Sequence, residues 1–136
     1  MVSSGVKVFE VDPDLIDRGT NAHIDTQNTL RNAIVAAGLV PLSPAASDPQ
    51  FDAAWVDGDA ATVAEVKSLT DLNEERQLRL GLGQVLRYRH DLDWDAVTSV
   101  QAVLAVEREP TDRRWIEVCE ENGVALVWPA TFASLF

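Results

Sequence analysis

The chain has 136 residues, 46% of them apolar and 24% charged, a composition that fits one globular domain and excludes a disordered tail. A single cysteine, Cys119, excludes a disulfide within the chain and a multi-cysteine zinc site. No apolar run approaches the roughly 20 residues of a bilayer-spanning helix, and residues 1–10 lack the basic-then-apolar pattern of a signal peptide, so a cytoplasmic setting is the expectation.

Residues 6–9, Val6-Lys7-Val8-Phe9, alternate as a short strand would, and Asp12-Pro13-Asp14 reads as a turn. Residues 20–37 carry Ala22, Leu30, Ala33, Ile34 and Ala37 at a helical period, which Gly38 closes and Pro41 and Pro44 keep from resuming. Residues 51–56 and 61–67 are β-type runs separated by Asp57-Gly58-Asp59, a hairpin signal. A second helix over 73–90 places Leu78, Leu82, Val85 and Leu86 on its apolar side. Gly81 and Gly83 inside it each cost about 1 kcal/mol against alanine unless a close approach needs them.

Residues 99–106 are apolar enough for a buried strand, and Thr111 is the expected cap of a third helix reaching about residue 122, where Gly123 ends it. Residues 124–128 form a last strand stopped by Pro129. The order helix, strand, strand, helix, strand, helix, strand, with or without the strand at 6–9, indicates an α/β sandwich on a mixed sheet. Trp55, Trp115 and Trp128 fall within elements and are expected to fill the core; Trp94, between Asp93 and Asp95, reads as a turn anchor and Cys119 as a packing residue.

Twenty-two acidic residues against 11 basic ones give a net charge of −11, which argues against a protein that finds nucleic acid by bulk electrostatics. The basic residues are unevenly spread. Residues 68–90 hold Arg76, Arg79, Arg87 and Arg89 against Asp71, Glu74 and Glu75, a local +1 that leaves −12 for the remainder.

Three residues of the hairpin carry chemical interest. Glu65 and Lys67 are two apart, so in a strand they leave the same face. Asp52 joins them if the loop has an even length. A two-residue loop at Asp57-Gly58 pairs 56 with 59 and sets Asp52 diagonal to Glu65, whereas a four-residue loop pairs 56 with 61 and sets the two directly opposite. An odd loop turns Asp52 to the other side. Two carboxylates converging in this way form a hard-oxygen site suited to Mg²⁺ or Mn²⁺, and a lysine beside them can steady developing negative charge. Phosphodiester hydrolysis needs this combination. The plainer alternative is an exposed pair of carboxylates with Lys67 as salt-bridge partner. Val63, Ala64 and Val66 argue instead for a buried strand, where charges are costly unless paired or bound to metal.

Asp52, a twelve-residue gap and Glu65-Val66-Lys67 resemble the motif of the PD-(D/E)XK nuclease superfamily, with Phe51 in place of the proline. Gln84-Val85-Leu86-Arg87-Tyr88 resembles the Gln-x-x-x-Tyr signature of RecB-like nucleases, and the resemblance covers residues 20–128 of a single domain over 1–136. It implies a restriction-endonuclease-like αβββαβ core with a central mixed sheet flanked by helices. It further implies that Asp52, Glu65 and the Val66 carbonyl ligate Mg²⁺ or Mn²⁺, that Lys67 is catalytic, and that Gln84 and Tyr88 border the site. His23, near the start of the first helix with Gln27 one turn on, stands where the family places a metal-completing histidine. Arg76, Arg79, Arg87 and Arg89 would contact nucleic-acid phosphates.

The expected function is metal-dependent hydrolysis of DNA phosphodiesters in restriction, phage defence or repair. The acidic balance implies that a homodimer or a partner protein supplies DNA targeting. The competing expectations are a non-catalytic interaction module that keeps the nuclease fold within a larger complex, and an acidic nucleic-acid mimic. The mimic offers no reason for the arginine-bearing helix.

Overall fold

The computed structural model of the protein describes residues 12–136; the strand expected at residues 6–9 lies outside them. The described chain runs α1 (Pro13–Arg18), α2 (Asn21–Ala36), β1 (Ala53–Asp57), β2 (Ala60–Lys67), α3 (Glu74–Asp91), β3 (Ser99–Val106), α4 (Arg114–Glu121), β4 (Val124–Val127) and a closing 3₁₀ helix, η1 (Pro129–Leu135). The four strands form one mixed sheet in the order β1-β2-β3-β4, antiparallel between β1 and β2 and parallel thereafter. Each parallel step is spanned by a helix, α3 and then α4, as parallel neighbours require.

Both faces of the sheet are covered. On one, Leu78 and Val85 of α3 and Cys119 of α4 pack against Val63, Ala102 and Leu104. On the other, Leu30 and Ile34 of α2 and Phe132 of η1 pack against Trp55, Ala64, Val66 and Val103. A strand covered on both sides should read as a continuous apolar run, and β3 does. β2 is equally buried yet carries Glu65 and Lys67, neither with any exposed surface. No helix among the described residues is long and apolar enough to cross a membrane.

The hairpin joins Asp57 to Ala60, so its loop is the two residues Gly58 and Asp59, with Gly58 at φ +64°. The register pairs Val56 with Ala61 and Ala53 with Ala64. That is the alignment expected from the longer even loop, reached with a tighter turn, and it leads Asp52 to the position facing Glu65. Ahead of β1, Leu42 makes a single antiparallel bridge to Ala54, so two full strands and one bridge precede α3.

Two local expectations are corrected, and a third element is added beyond the last strand. Asp12-Pro13-Asp14 is the start of a helix: Asp12 is the N-cap and accepts the Asp14 N–H at 2.9 Å. Thr111 does not cap α4, whose N-cap position is Arg113; the Thr111 N–H donates instead to Glu74 Oε1 at 2.9 Å. Pro129 ends β4 but opens η1, which buries Phe132.

The tryptophans divide as expected. Trp55 is buried, Trp115 and Trp128 are partly buried against the core, and Trp94 anchors a loop by donating to Asp48 Oδ1 at 2.9 Å and meeting Phe51 edge-on.

The two helical glycines differ in kind. A Cβ at Gly81 would lie 2.6 Å from Leu104 Cδ1 and 3.1 Å from Lys67 Cγ, whereas one at Gly83 meets nothing within 4 Å. Gly81→Ala is therefore expected to destabilise by about 1–3 kcal/mol through overpacking. Gly83→Ala should stabilise by roughly 0.5–1 kcal/mol through helix propensity. Urea denaturation of the two variants checks the opposite signs.

Candidate active site

Asp52 lies immediately before β1 and Glu65 and Lys67 lie on β2, and the antiparallel register brings all three to the face beneath α3. The backbone N–H of Val66 donates to Asp52 Oδ2 at 2.8 Å, and Lys67 Nζ stands 3.4 Å from Glu65 Oε2. The stem of Lys67 passes below Gly81, whose missing side chain makes room for it. The close approach that would justify a glycine inside α3 is therefore an approach to the site.

α2 completes the setting of Asp52. Thr20 caps this helix by accepting the His23 N–H at 3.1 Å, which fixes the first turn. His23 is buried with Nε2 3.4 Å from Asp52 Oδ2, and Gln27 Nε2 donates to the Asp52 backbone carbonyl at 2.8 Å. Against an ionised carboxylate the imidazole nitrogen must carry the proton. His23 thus stands as a donor that orients Asp52.

The two carboxyls are driven apart in acidity. Burial raises Asp52, but hydrogen bonds from His23, Glu65 and the Val66 N–H outweigh it and hold the group at about 2, below its ordinary 3.8. Burial pushes Glu65 well above its ordinary value, and the hydrogen bond with Asp52 and the Asp52 charge push it further, against the opposing pull of Lys67. The two carboxyls titrate as a pair, with Asp52 the more acidic and Glu65 the less acidic member. Both Glu65 oxygens are buried and meet nearby cations only at long range, Lys67 Nζ at 3.4 Å and Arg18 Nη2 at 3.6 Å, rather than through well-formed hydrogen bonds from them. Buried carboxylate oxygens are rarely left so.

Two residues of α1, Asp14 and Arg18, enter the same cleft. Asp14 Oδ1 accepts from Lys67 Nζ. Arg18 Nε stands 3.2 Å from Asp52 Oδ1, and Arg18 Nη2 stands 3.6 Å from Glu65 Oε1. The signal for this helix was present: an Asp followed by Pro and Asp, with Arg18 and Gly19 five and six residues on, is the pattern of a short capped helix. Beside it, Asp17 accepts from the N–H and hydroxyl of Ser68.

α3 supplies the far wall. Tyr88 is half-buried, and its hydroxyl is raised by burial and by the charges of Glu65, Asp14 and Asp52, partly offset by Arg18. Gln84, one turn earlier on α3, has a buried Oε1 without a donor. The four arginines of this helix have different surroundings. Arg79 pairs with Glu75 at 3.1 Å and Arg87 with Asp91 at 2.8 Å, both on the exposed surface. Arg89 donates to the carbonyls of Asn122 and Gly123 at 3.1 Å, closing the end of α4. Arg76 alone lines a cavity of about 440 Å³ between α1 and α3, with Asp17, Ser68 and Gln77.

Among the described residues, no group of three or more His, Cys, Asp or Glu side chains is arranged to hold a metal ion. The oxygen donors available at this cleft are Asp52, Glu65 and neighbouring backbone carbonyls. No family model, curated protein or solved structure matches the chain.

Proposed function

We propose that the protein is a metal-dependent nuclease that hydrolyses DNA phosphodiester bonds through Asp52, Glu65 and Lys67. The observation that carries this reading is the placement of an unexposed glutamate and an unexposed lysine two residues apart on a central strand, facing an aspartate held well into its ionised range. A structural ion pair needs none of this, because replacing buried charges by apolar side chains is often neutral or stabilising. The restriction-endonuclease-like αβββαβ core belongs to the same proposal: α2, the Leu42 bridge, β1, β2, α3 and β3 follow that order, with its first strand reduced to one bridge.

The residues fit a hard divalent cation through the carboxyl oxygens of Glu65 and the adjacent Asp52, between which Arg18 now brings a positive charge. Asp52, Glu65 and the Val66 carbonyl would hold Mg²⁺ or Mn²⁺, which supplies Lewis acidity and a more acidic bound water. His23 and Gln27 hold Asp52 in place, a positioning role rather than a ligand's. Lys67 brings a positive charge held on a buried strand position to the phosphoryl oxygens, where such a charge acts more strongly than at an exposed surface. Gln84 and Tyr88 edge the cleft toward the substrate strand.

Arg76, at the mouth of the neighbouring cavity and without an ion-pair partner among the described residues, is the arginine of α3 best placed for a phosphate. Arg76→Ala is expected to lower the slope of log affinity against log salt for a short DNA duplex by about 1, read by fluorescence anisotropy. The net charge of −11 makes a second copy or a partner protein the source of targeting.

A non-catalytic interaction module is favoured by one observation: Arg18 and Asp14 already satisfy Asp52 and Lys67. Labelled single- and double-stranded DNA and RNA, incubated with Mn²⁺ or with chelator, separate the two readings. The nuclease reading expects DNA cleavage that needs metal and is lost in Asp52→Asn. Intact substrates with both the parent and an Arg18→Gln variant would leave the module.

A further inference from the structure

α1 is inverted relative to a helix held by the hydrophobic effect. Asp14, Asp17 and Arg18 face the cleft, while Leu15 and Ile16 are 66% and 58% exposed. Six residues are too few for a helix to persist alone, so its charged contacts hold α1 in place. Those contacts fall on the groups assigned to chemistry. Lys67 Nζ donates to Asp14 Oδ1, Arg18 spans Asp52 and Glu65, and the two α1 residues pair with each other at 3.4 Å. Arg18 Nη2 also donates to the Gln50 carbonyl at 3.0 Å. An anion therefore sits on the ammonium and a cation bridges the carboxyls, both supplied by one short helix.

We propose that α1 is an autoinhibitory plug, with Asp14 standing on Lys67 where a substrate phosphoryl oxygen would bind and Arg18 standing between Asp52 and Glu65 where a divalent cation would bind. This inference rests on the nuclease reading and adds its regulation. Cation and substrate displace the same helix, so each favours the binding of the other. α2 does not unravel when α1 leaves, because its first turn is capped by its own Thr20. The apolar outer side of α1, Leu15 and Ile16, is already mostly exposed and loses little burial on release.

Asp14→Asn discriminates by sign. Simple electrostatics requires that removing a carboxylate from the cleft weaken Mn²⁺ binding; a plug requires that loosening α1 strengthen it. If the closed state holds about 90% of the population, both Asp14→Asn and Arg18→Gln should bind Mn²⁺ about tenfold more tightly than the parent. The loss of the free Mn²⁺ paramagnetic resonance signal measures this, with circular dichroism confirming the fold of each variant. In the parent, Mn²⁺ should also remove hydrogen-exchange protection from the α1 amides. Unchanged or weaker binding in Asp14→Asn, with binding still dependent on Asp52, overturns the plug and leaves the nuclease reading standing. Absence of Mn²⁺ binding in parent and both variants, or binding indifferent to Asp52→Asn, overturns both.

Discussion

Lys67→Met is expected to slow metal-dependent DNA cleavage by about 10²–10³-fold while the chain still folds. The magnitude follows from burial. The Lys67 side chain has no exposed surface, and Nζ lies 3.4 Å from Glu65 Oε2. Methionine conserves the volume that passes beneath Gly81. Breaking a buried ion pair can cost roughly 3–5 kcal/mol when an uncompensated charge remains. The cost here is smaller, because burial shifts Glu65 toward its neutral form and Asp14 keeps Arg18 at 3.4 Å. Single-turnover cleavage beside a thermal midpoint separates the two effects, and a variant that cuts at the parental rate would remove Lys67 from the mechanism.

Glu65→Gln is expected to abolish cleavage and to remove the loss of stability that Glu65 imposes as pH rises. The folded state raises the Glu65 carboxyl above its ordinary 4.5, so its contribution to stability is fully present below that value and fades as pH rises toward the folded one. Glutamine, which mimics the protonated acid, does not titrate; the variant should gain on the parent progressively above pH 4.5. Asp52 behaves oppositely. Lowered from 3.8 to about 2, it contributes on the order of 2 kcal/mol above pH 3.8, lost as pH falls through 2. Asp52→Asn should therefore destabilise at neutral pH. Denaturant unfolding of parent and variants from pH 3 to 8 checks both signs. A constant difference between parent and Glu65→Gln across that range would contradict the raised Glu65 carboxyl.

The elements held by long apolar patterns were legible in the sequence to within a few residues. The bounds of β3 fall on those expected, and α2 and α3 differ by one residue at each end. The common face of residues 52, 65 and 67 was also legible, because side chains alternate along strands and both even loop lengths lead to it. α1 was hidden for a physical reason: its inward side chains are Asp14, Asp17 and Arg18, so no apolar period marks it. The contacts of Arg18 with Asp52 and Glu65 span tens of residues, and no local spacing encodes them. Arg89 looked like its neighbours on α3 until the fold placed the end of α4 beside it.

Calorimetric titration of Mn²⁺ into the parent, Asp52→Asn and Lys67→Met tests the central claim most directly. A binding heat present in the parent, retained in Lys67→Met and lost in Asp52→Asn is the predicted result. Binding that survives Asp52→Asn undiminished would contradict it.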